Sequence, residues 1–389
     1  MKKYGKEELR NLKKTIKSDN LFYNKGKMTG KLLKTIRKFF GIKYAAVMSS
    51  GTAAIHCAVA ALEIPPGGEV ITAPITDMGT VIGILYQNLI PIFADVDPHT
   101  YNITAESIEK VITENTKAIL VVHLTGNPAE MNEILQLGKS RGIPVIEDCA
   151  QAYGGKYKNK KLGTMGDIGC YSLNAYKHIS AGDGGFVITN NETYYERVSN
   201  YADKYYDRHG KGVRLSKLAP NYRITELQSA VALAQFSKLS NIVEKRHLFG
   251  NMFNKGIMGL DGIYPHKVYD YNYASYWFTM IRMDPDVLGC DRDKFVRKLK
   301  TSGLIKAGAG YIPRPIYLEP LFVNKHFFPG NIWPAEKIGE KTYNYQEGMC
   351  PIAEEILETA IRIPIDESMD ESKVEKMIES VKKAHSKCM

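Results

Sequence analysis

Apolar residues recur along this chain in two rhythms, and the two rhythms alternate. Over 7–17 and again over 31–40 they fall at helical spacing, with Leu32, Ile36 and Phe39 in the second stretch and Gly41 placed to stop it. Tyr44–Met48 is an apolar run of strand length, and an Ala-rich helix is predicted over 53–62. Further strand-length runs stand at Glu69–Thr72, 90–94, 118–123, 144–147, 169–172 and 184–189, with helical stretches at 78–89 and Met131–Arg141 between the earlier ones. Strands alternating with helices predict an α/β domain whose mostly parallel sheet is flanked by helices. The near-continuous apolar strands agree, because such a sheet is covered on both faces.

The second half changes character. Residues 191–212 are polar, rich in Tyr and charge, and read as a helix followed by a mobile loop. A strong helix is predicted over 226–239, and a long one over 241–253 leads out of the first domain. A strand over 276–283 and a helix over 371–385 then make a smaller C-terminal α/β domain. The division expected is 1–245 for the N-terminal segment and large domain, and 246–389 for the small one.

Composition narrows the class. The 389 residues are 44% hydrophobic and 24% charged, as in ordinary soluble globular proteins. No apolar run reaches the roughly 18 residues of a spanning helix, and the start, MKKYGKEELRNLKK, lacks a signal-peptide core. A cytoplasmic protein without a membrane partner is expected. The net charge of +10 is spread rather than gathered, which argues against a nucleic-acid partner and leaves solubility or attraction of anionic substrates. Six scattered cysteines form no CxxC pair, so no metal site is expected and the thiols read as reduced.

Candidate chemistry gathers at strand ends, where sheets of this kind bind ligands. Ser49-Ser50-Gly51-Thr52 joins a strand to a helix start, an arrangement that can hold an anion. A simple N-cap by Ser50 or Thr52 accounts for it equally. Asp148 follows another strand. Lys177 precedes the glycine-rich SAGDGG, after the short strand ending at Ser172. A lone lysine is ordinarily a solvated surface charge. The set has a chemical logic, however. A lysine that forms a Schiff base with an aldehyde must be neutral and needs a lowered pKa. A phosphate-bearing pyridine aldehyde also needs a carboxylate at its ring nitrogen, donors for its phosphate and a cover for its ring. Asp148 can serve the nitrogen, Gly51, Thr52 and Ser172 the phosphate, and Lys177 the aldehyde. There is no GxGxxG after the first strand, which argues against a dinucleotide site.

Six stretches carry a resemblance: SSGTAAIH (49–56), PIFADVDPHTYNI (91–103), VVHLTG (121–126), VIEDCAQAYGG (145–155), GDIGCYSLNAYKHISAGDGGFVITN (166–190) and NYRITELQSAVALAQ (221–235). In their order and spacing the chain resembles the DegT/DnrJ/StrS family of sugar aminotransferases, pyridoxal 5'-phosphate enzymes of fold type I. The resemblance covers nearly the whole chain and is strongest over 45–246. It implies that Lys177 bears the cofactor as a Schiff base and shuttles the proton of transamination. It implies Asp148 at the pyridinium nitrogen, Gln151 near the 3-hydroxyl, and Gly51, Thr52 and Ser172 around the phosphate. Asn221 resembles an asparagine supplied to the phosphate by the neighbouring subunit, which implies a homodimer with shared active sites.

The resemblance also implies a reaction: transfer of an amino group from L-glutamate or L-glutamine to a keto sugar, often nucleotide-activated, or to a keto-cyclitol. Members with histidine in place of the lysine are dehydratases; Lys177 favours the aminotransferase branch, and the adjacent His178 reads as structural. A non-transaminating, regulatory relative is the other alternative. Three positions depart from the pattern. Asp77 stands where relatives carry an aromatic that stacks on the ring, leaving Met78 or another side chain to cover it. Thr125 and Tyr317 stand where an aromatic and a histidine are common. Arg314 is a candidate clamp for the donor carboxylate or a solvated loop residue, and Tyr317 either bonds a sugar hydroxyl or packs. Arg208, His209 and Lys211 could meet a phosphate or form a plain surface loop.

Overall fold

Seven strands form the central sheet, and its C-terminal edge gathers the candidate residues. The structure is a computed structural model and describes residues 3–206, 208 and 215–388. The chain runs through α1 (Lys6–Lys17), α2 (Lys27–Phe40), β1 (Tyr44–Met48), α3 (Gly51–Ala61), β2 (Glu69–Thr72), α4 (Met78–Tyr86) and β3 (Ile90–Phe93). A short α5 (Ala105–Glu109) precedes β4 (Thr116–Val122), α6 (Met131–Arg141) and β5 (Val145–Asp148). The small strands β6 (Lys156–Tyr157) and β7 (Lys160–Lys161) lead to β8 (Ile168–Ser172), β9 (Gly185–Thr189) and α7 (Glu192–Ala202). Two helices follow, α8 (Glu226–Phe236) and α9 (Leu239–Ile257).

The sheet order is β1-β9-β8-β5-β4-β2-β3. The pairs β3/β2, β2/β4, β4/β5 and β5/β8 are parallel, and β9 pairs antiparallel with both β8 and β1. The expected α/β fold with a mostly parallel sheet is thus present, with β9 alone reversed. Its strands are buried on both faces, which is why they read as unbroken apolar runs. In register, Val122 lies opposite Asp148, Asp148 opposite Cys170, and Ser172 opposite Gly185, which also faces Met48. The loops after β1, β5 and β8 therefore leave the same edge of the sheet.

Beyond α9 come β10 (Ile263–Pro265), β11 (Asn272–Tyr273), β12 (Thr279–Met283), α10 (Pro285–Leu288), α11 (Arg292–Thr301) and β13 (Gly308–Ala309). The chain ends with α12 (Pro320–Val323), α13 (Pro334–Gly339), α14 (Pro351–Thr359), β14 (Ala360–Ile363) and α15 (Glu371–Ser386). An antiparallel sheet, β10-β12-β14-β13, backs a second apolar cluster. Phe249, Phe253 and Ile257 of α9 enter that cluster with Phe295 and Leu299 of α11 and Val374, Ile378 and Val381 of α15. The stretch 316–360 instead joins the first cluster. Tyr317, Phe322 and Tyr345 pack around Phe93 of the edge strand β3, with ring centroids 5.5, 5.8 and 5.8 Å away. That packing hides an edge that would otherwise be open. Among the described residues no helix is long and apolar enough to cross a membrane.

Helix α2 starts four residues before the 31–40 expected. Its N-cap is Gly26, which has no side chain to bond the first turn. The buried Glu226 does so instead, accepting the N–H groups of Met28 and Thr29 and the Thr29 hydroxyl. A cap from so far along the chain leaves no local signal.

Candidate active site

Helix α3 begins where β1 ends. Ser50 caps it by accepting the Ala53 N–H at 3.0 Å, and the first-turn N–H groups of Gly51 and Thr52 have no intrahelical partner. Gly51 lies against Ser172. A Cβ at Gly51 would stand 2.5 Å from Ser172 Cβ and 2.8 Å from its Oγ, so only glycine fits. The helix start and the Ser172 hydroxyl thereby form one cradle, with Thr52 half-buried beside it and its Oγ1 facing Gly79 at the start of α4. Such a helix terminus suits a phosphate.

Asp148, the last residue of β5, is 5% exposed. It accepts the Thr80 hydroxyl at 2.8 Å and the Ala150 N–H at 3.0 Å. Thr76 and Thr80 share a hydrogen bond of 2.6 Å, so the carboxylate ends a relay of hydroxyl donors. Burial pushes its carboxyl above the usual range; the donors and Lys177 pull the other way, and Asp77 adds to the rise. Gln151 is buried, accepts the Thr125 N–H at 2.8 Å and donates to the Tyr311 hydroxyl at 3.3 Å.

Lys177 sits in the turn after β8. Its Nζ lies 3.8 Å from the Trp277 ring centroid. Burial lowers its pKa, while Asp148 and Asp77 raise it. A partly buried amine so placed has its basicity shifted in the direction that attack on an aldehyde needs. The turn is held from the N-terminal segment, where Lys3 Nζ donates to the carbonyls of Ala175 at 2.6 Å and Lys177 at 2.9 Å. His178 is fully buried, bonds the Ser275 carbonyl at 3.0 Å and is held well below its usual pKa by burial; it anchors the 272–278 segment as a structural residue.

Trp277, Tyr311 and Thr80 belong to this site, and sequence reasoning did not find them. Trp277 is delivered by an unusual backbone. Thr125 has φ 60°, its carbonyl accepts the Trp277 N–H at 2.7 Å, and a Cβ at the neighbouring Gly126 would be 2.6 Å from Ser275 Oγ. Trp277 and Tyr311 pack edge to face at 5.7 Å. Nothing in the spacing of YASYWF or AGYIPR marks these aromatics as site residues; Thr80 could have been found as the residue one helical turn beyond Asp77. Asp77 itself is exposed and caps α4, accepting the Gly79 N–H at 2.8 Å. Its charge is felt at Lys177, Asp148 and Tyr311.

Other candidates fall elsewhere. Tyr317 has no exposed surface. Its hydroxyl donates to Glu354 and accepts the Cys350 N–H at 3.1 Å, so it packs and is not a substrate contact. Arg314 is exposed, 3.8 Å from Glu319, and makes no contact with the Lys177 group. Arg208 is committed to Asp203 at 2.6 Å, and His209 and Lys211 lie outside the described residues. Asn221 is exposed on the segment that bridges Asp203. A different cation stands near the mouth. Arg362 of β14 has its guanidinium carbon 5.9 Å from the Phe278 ring, and Phe278 is 5.3 Å from Tyr311. It has no carboxylate partner among the described residues.

Behind the site, His123, Glu147 and Cys149 form the one group of described residues with atoms close enough to share a metal. Glu147 is already occupied. It takes His123 Nε2 at 3.0 Å and the N–H groups of Gly163, Met165 and Gly166 at 2.7, 2.9 and 2.6 Å. The Ala129 N–H donates to His123 Nδ1 at 3.2 Å, which leaves the proton on Nε2. This is a hydrogen-bonded support that fixes the loop ahead of β8.

Comparison with known proteins places the chain in a family. The family model for DegT/DnrJ/EryC1/StrS aminotransferases matches residues 2–382. The chain is 37% identical over 246 residues to a GDP-perosamine synthase of Escherichia coli O157:H7, covering 62% of this chain and 65% of that one. It is 31% identical over 350 residues to a putative L-glutamine:3-amino-2,3-dideoxy-scyllo-inosose aminotransferase of Micromonospora echinospora, covering 87% and 81%. Its fold superposes on an aminotransferase from Psychrobacter cryohalolentis with a TM-score of 0.88 at 25% identity, covering 99% of this chain and 98% of that one. With this match over nearly its whole length, the chain belongs to the DegT/DnrJ/EryC1/StrS aminotransferase family.

Proposed function

We propose that the enzyme moves an amino group from L-glutamate or L-glutamine to a keto sugar, nucleotide-activated or not, or to a keto-cyclitol, with Lys177 as its catalytic residue. The family uses pyridoxal 5'-phosphate. One observation carries the reading: a desolvated lysine, a buried carboxylate and a glycine-only helix-start cradle meet at one sheet edge. The residues fit that cofactor. Gly51, Thr52 and Ser172 would hold its phosphate, Asp148 its ring nitrogen, and Gln151 its ring oxygen. When bound, the cofactor supplies an electron-poor ring that spreads the negative charge of a deprotonated carbon.

The chain's own residues do the rest. Lys177 Nζ, its basicity lowered by burial, takes the proton from one carbon and returns it to another. Asp148 holds a proton at the ring nitrogen, oriented by Thr80. Trp277 and Tyr311 wall the lysine from water. Arg362, rather than Arg314, takes the donor's carboxylate. The named relatives act on a perosamine precursor and a cyclitol, which supports a keto sugar or keto-cyclitol as acceptor. Asn221 serves the partner's phosphate site in a homodimer, which fits its exposure.

The test is spectral. L-glutamate or L-glutamine added to the yellow holoenzyme should bleach the visible band, and a keto sugar should restore it. A band indifferent to every amino donor ends the proposal. Sharing of sites is tested by mixing Lys177→Ala with Asn221→Ala, each inactive alone. Random reassociation of a dimer should restore about a quarter of the active sites, and no recovery removes Asn221 from that role.

A further inference from the structure

Four of the six cysteines are sealed in the first core: Cys57, Cys149, Cys170 and Cys350 are at most 1% exposed, and burial raises their thiols. The other two meet across 98 residues of sequence. Cys290 Sγ and Cys388 Sγ are 3.2 Å apart. Cys290 follows Gly289, the left-handed end of α10 with φ 58°, and precedes Asp291, the cap of α11. Cys388 follows α15, with its N–H on the His385 carbonyl at 2.8 Å. Cys388 is partly exposed and Cys290 is 8% exposed, so one thiol of the pair is open to solvent and the other lies behind it.

A cation attends the outer sulfur. Lys298 Nζ of α11 lies 3.1 Å from Cys388 Sγ and donates to the Lys387 carbonyl at 2.6 Å. Cys388 is therefore the sulfur that an oxidant from solvent meets first, with an ammonium beside it. Cys290 has the opposite setting: burial, and then its bond to Cys388, raise its thiol to about 11, against the pull of Lys298 and Lys294. The outer thiol is thus the one to react first and the inner thiol the one to resolve it.

We propose that Cys290 and Cys388 are an oxidative cross-linking site that fastens the end of α15 to the turn before α11. With a peroxide as oxidant, the Cys388 thiolate attacks one peroxide oxygen and becomes a sulfenic acid, while the other oxygen leaves and is protonated to water. The Cys290 sulfur then attacks the Cys388 sulfur. The S–S bond forms, the S–O bond breaks, and a second water leaves with the Cys290 proton. Two thiols are oxidised by two electrons and one peroxide is reduced. The cross-link pins the helix whose Val374, Ile378 and Val381 cover the second core, and it closes a long loop of the unfolded chain, which stabilises the fold. The site belongs to the second apolar cluster and does not depend on the transaminase reading.

Holoenzyme is treated with stoichiometric hydrogen peroxide, unfolded, alkylated and digested. The expected product is lighter by two hydrogens, with the Cys290 and Cys388 peptides joined and the other four cysteines alkylated. It should melt a few degrees above the dithiothreitol-treated protein. Cys388→Ser should abolish both the joined peptide and the redox-dependent melting difference, and Cys290→Ser should leave Cys388 as a trapped sulfenic acid. Cys388 overoxidised with Cys290 still free, or a cross-link that survives Cys388→Ser, would overturn the inference.

Discussion

Lys177 Nζ stands 3.8 Å above the ring of Trp277, a residue held in place by the left-handed backbone of Thr125 and by its own Nε1–H bond of 2.7 Å to the Tyr176 carbonyl. The ring face favours the charged ammonium while burial disfavours it. A desolvated contact of this kind contributes about 0.5–2 kcal/mol. Trp277→Leu should therefore lower the pKa of Lys177 further in cofactor-free protein, and Trp277→Phe by less. The pH dependence of Lys177 labelling with an amine-selective reagent, read by mass spectrometry, measures this. An unchanged profile in Trp277→Leu would show that the ring does not support the charge.

Asp77 raises the pKa of both Lys177 and Asp148. Asp77→Asn removes the charge and keeps an acceptor for the Gly79 N–H, so the cap of α4 survives. Both groups should then lose their protons at lower pH, and the same labelling profile should move to the acid side with the melting temperature unchanged. Asp77→Phe, which puts a ring in place of the carboxylate, should shift the profile likewise but also cost about 1 kcal/mol of stability through the lost cap. A profile that moves to higher pH in either variant contradicts this account.

Glu147 gives the fold an acid-sensitive support. Burial alone would push its carboxyl up, but the hydrogen bond from His123 and the N–H groups of Gly166 and Gly163 hold it below its ordinary 4.5. A carboxyl depressed in the folded state contributes stability above its unfolded pKa and loses it as pH falls through the folded value. Glu147→Gln leaves buried donors without an acceptor, at a cost of about 1–3 kcal/mol near neutrality. The gap in melting temperature between wild type and variant should be full at pH 6 to 7 and narrow below about 4.5. A gap independent of pH would remove the charge from the explanation.

The sheet was legible because strands buried on both faces leave unbroken apolar runs, and Tyr44–Met48 and Glu69–Thr72 were placed to the residue. Gly51, Asp148 and Ser172 stood out as candidates for another reason: each lies within a few residues of a strand end, where sequence order and spatial order coincide, whereas Gln151 came only from the family resemblance. Trp277 and Tyr311 reach the site from the far side of α9, and no local pattern encodes that approach. The start of α2 was hidden for the same reason, since Glu226 caps it from a distant helix. The segment 316–360 carries no regular period, because short helices there are fitted around Phe93 one side chain at a time.

Arg362 and Arg314 are the two candidates for the donor carboxylate, and their settings differ. Arg314 is exposed and already faces Glu319 at 3.8 Å. Arg362 leans on Phe278, its charge pulls the Tyr311 phenol down where burial, Asp77 and Asp148 push it up, and it has no carboxylate partner among the described residues. Tyr311 in turn holds Gln151 at 3.3 Å, so Arg362 reaches the cofactor residues through one aromatic. A charge-assisted contact to a carboxylate contributes about 1.5–3 kcal/mol. Arg362→Ala should raise the donor concentration needed to half-bleach the visible band by roughly ten- to a hundredfold, with the rate at saturating donor much less affected. Cofactor affinity should not change, because Arg362 touches none of the phosphate or ring contacts, and Arg314→Ala should leave the donor curve alone. Titrating L-glutamate against the band in the three proteins decides between them. A normal curve for Arg362→Ala beside a weakened one for Arg314→Ala would return the clamp to the 311–317 loop.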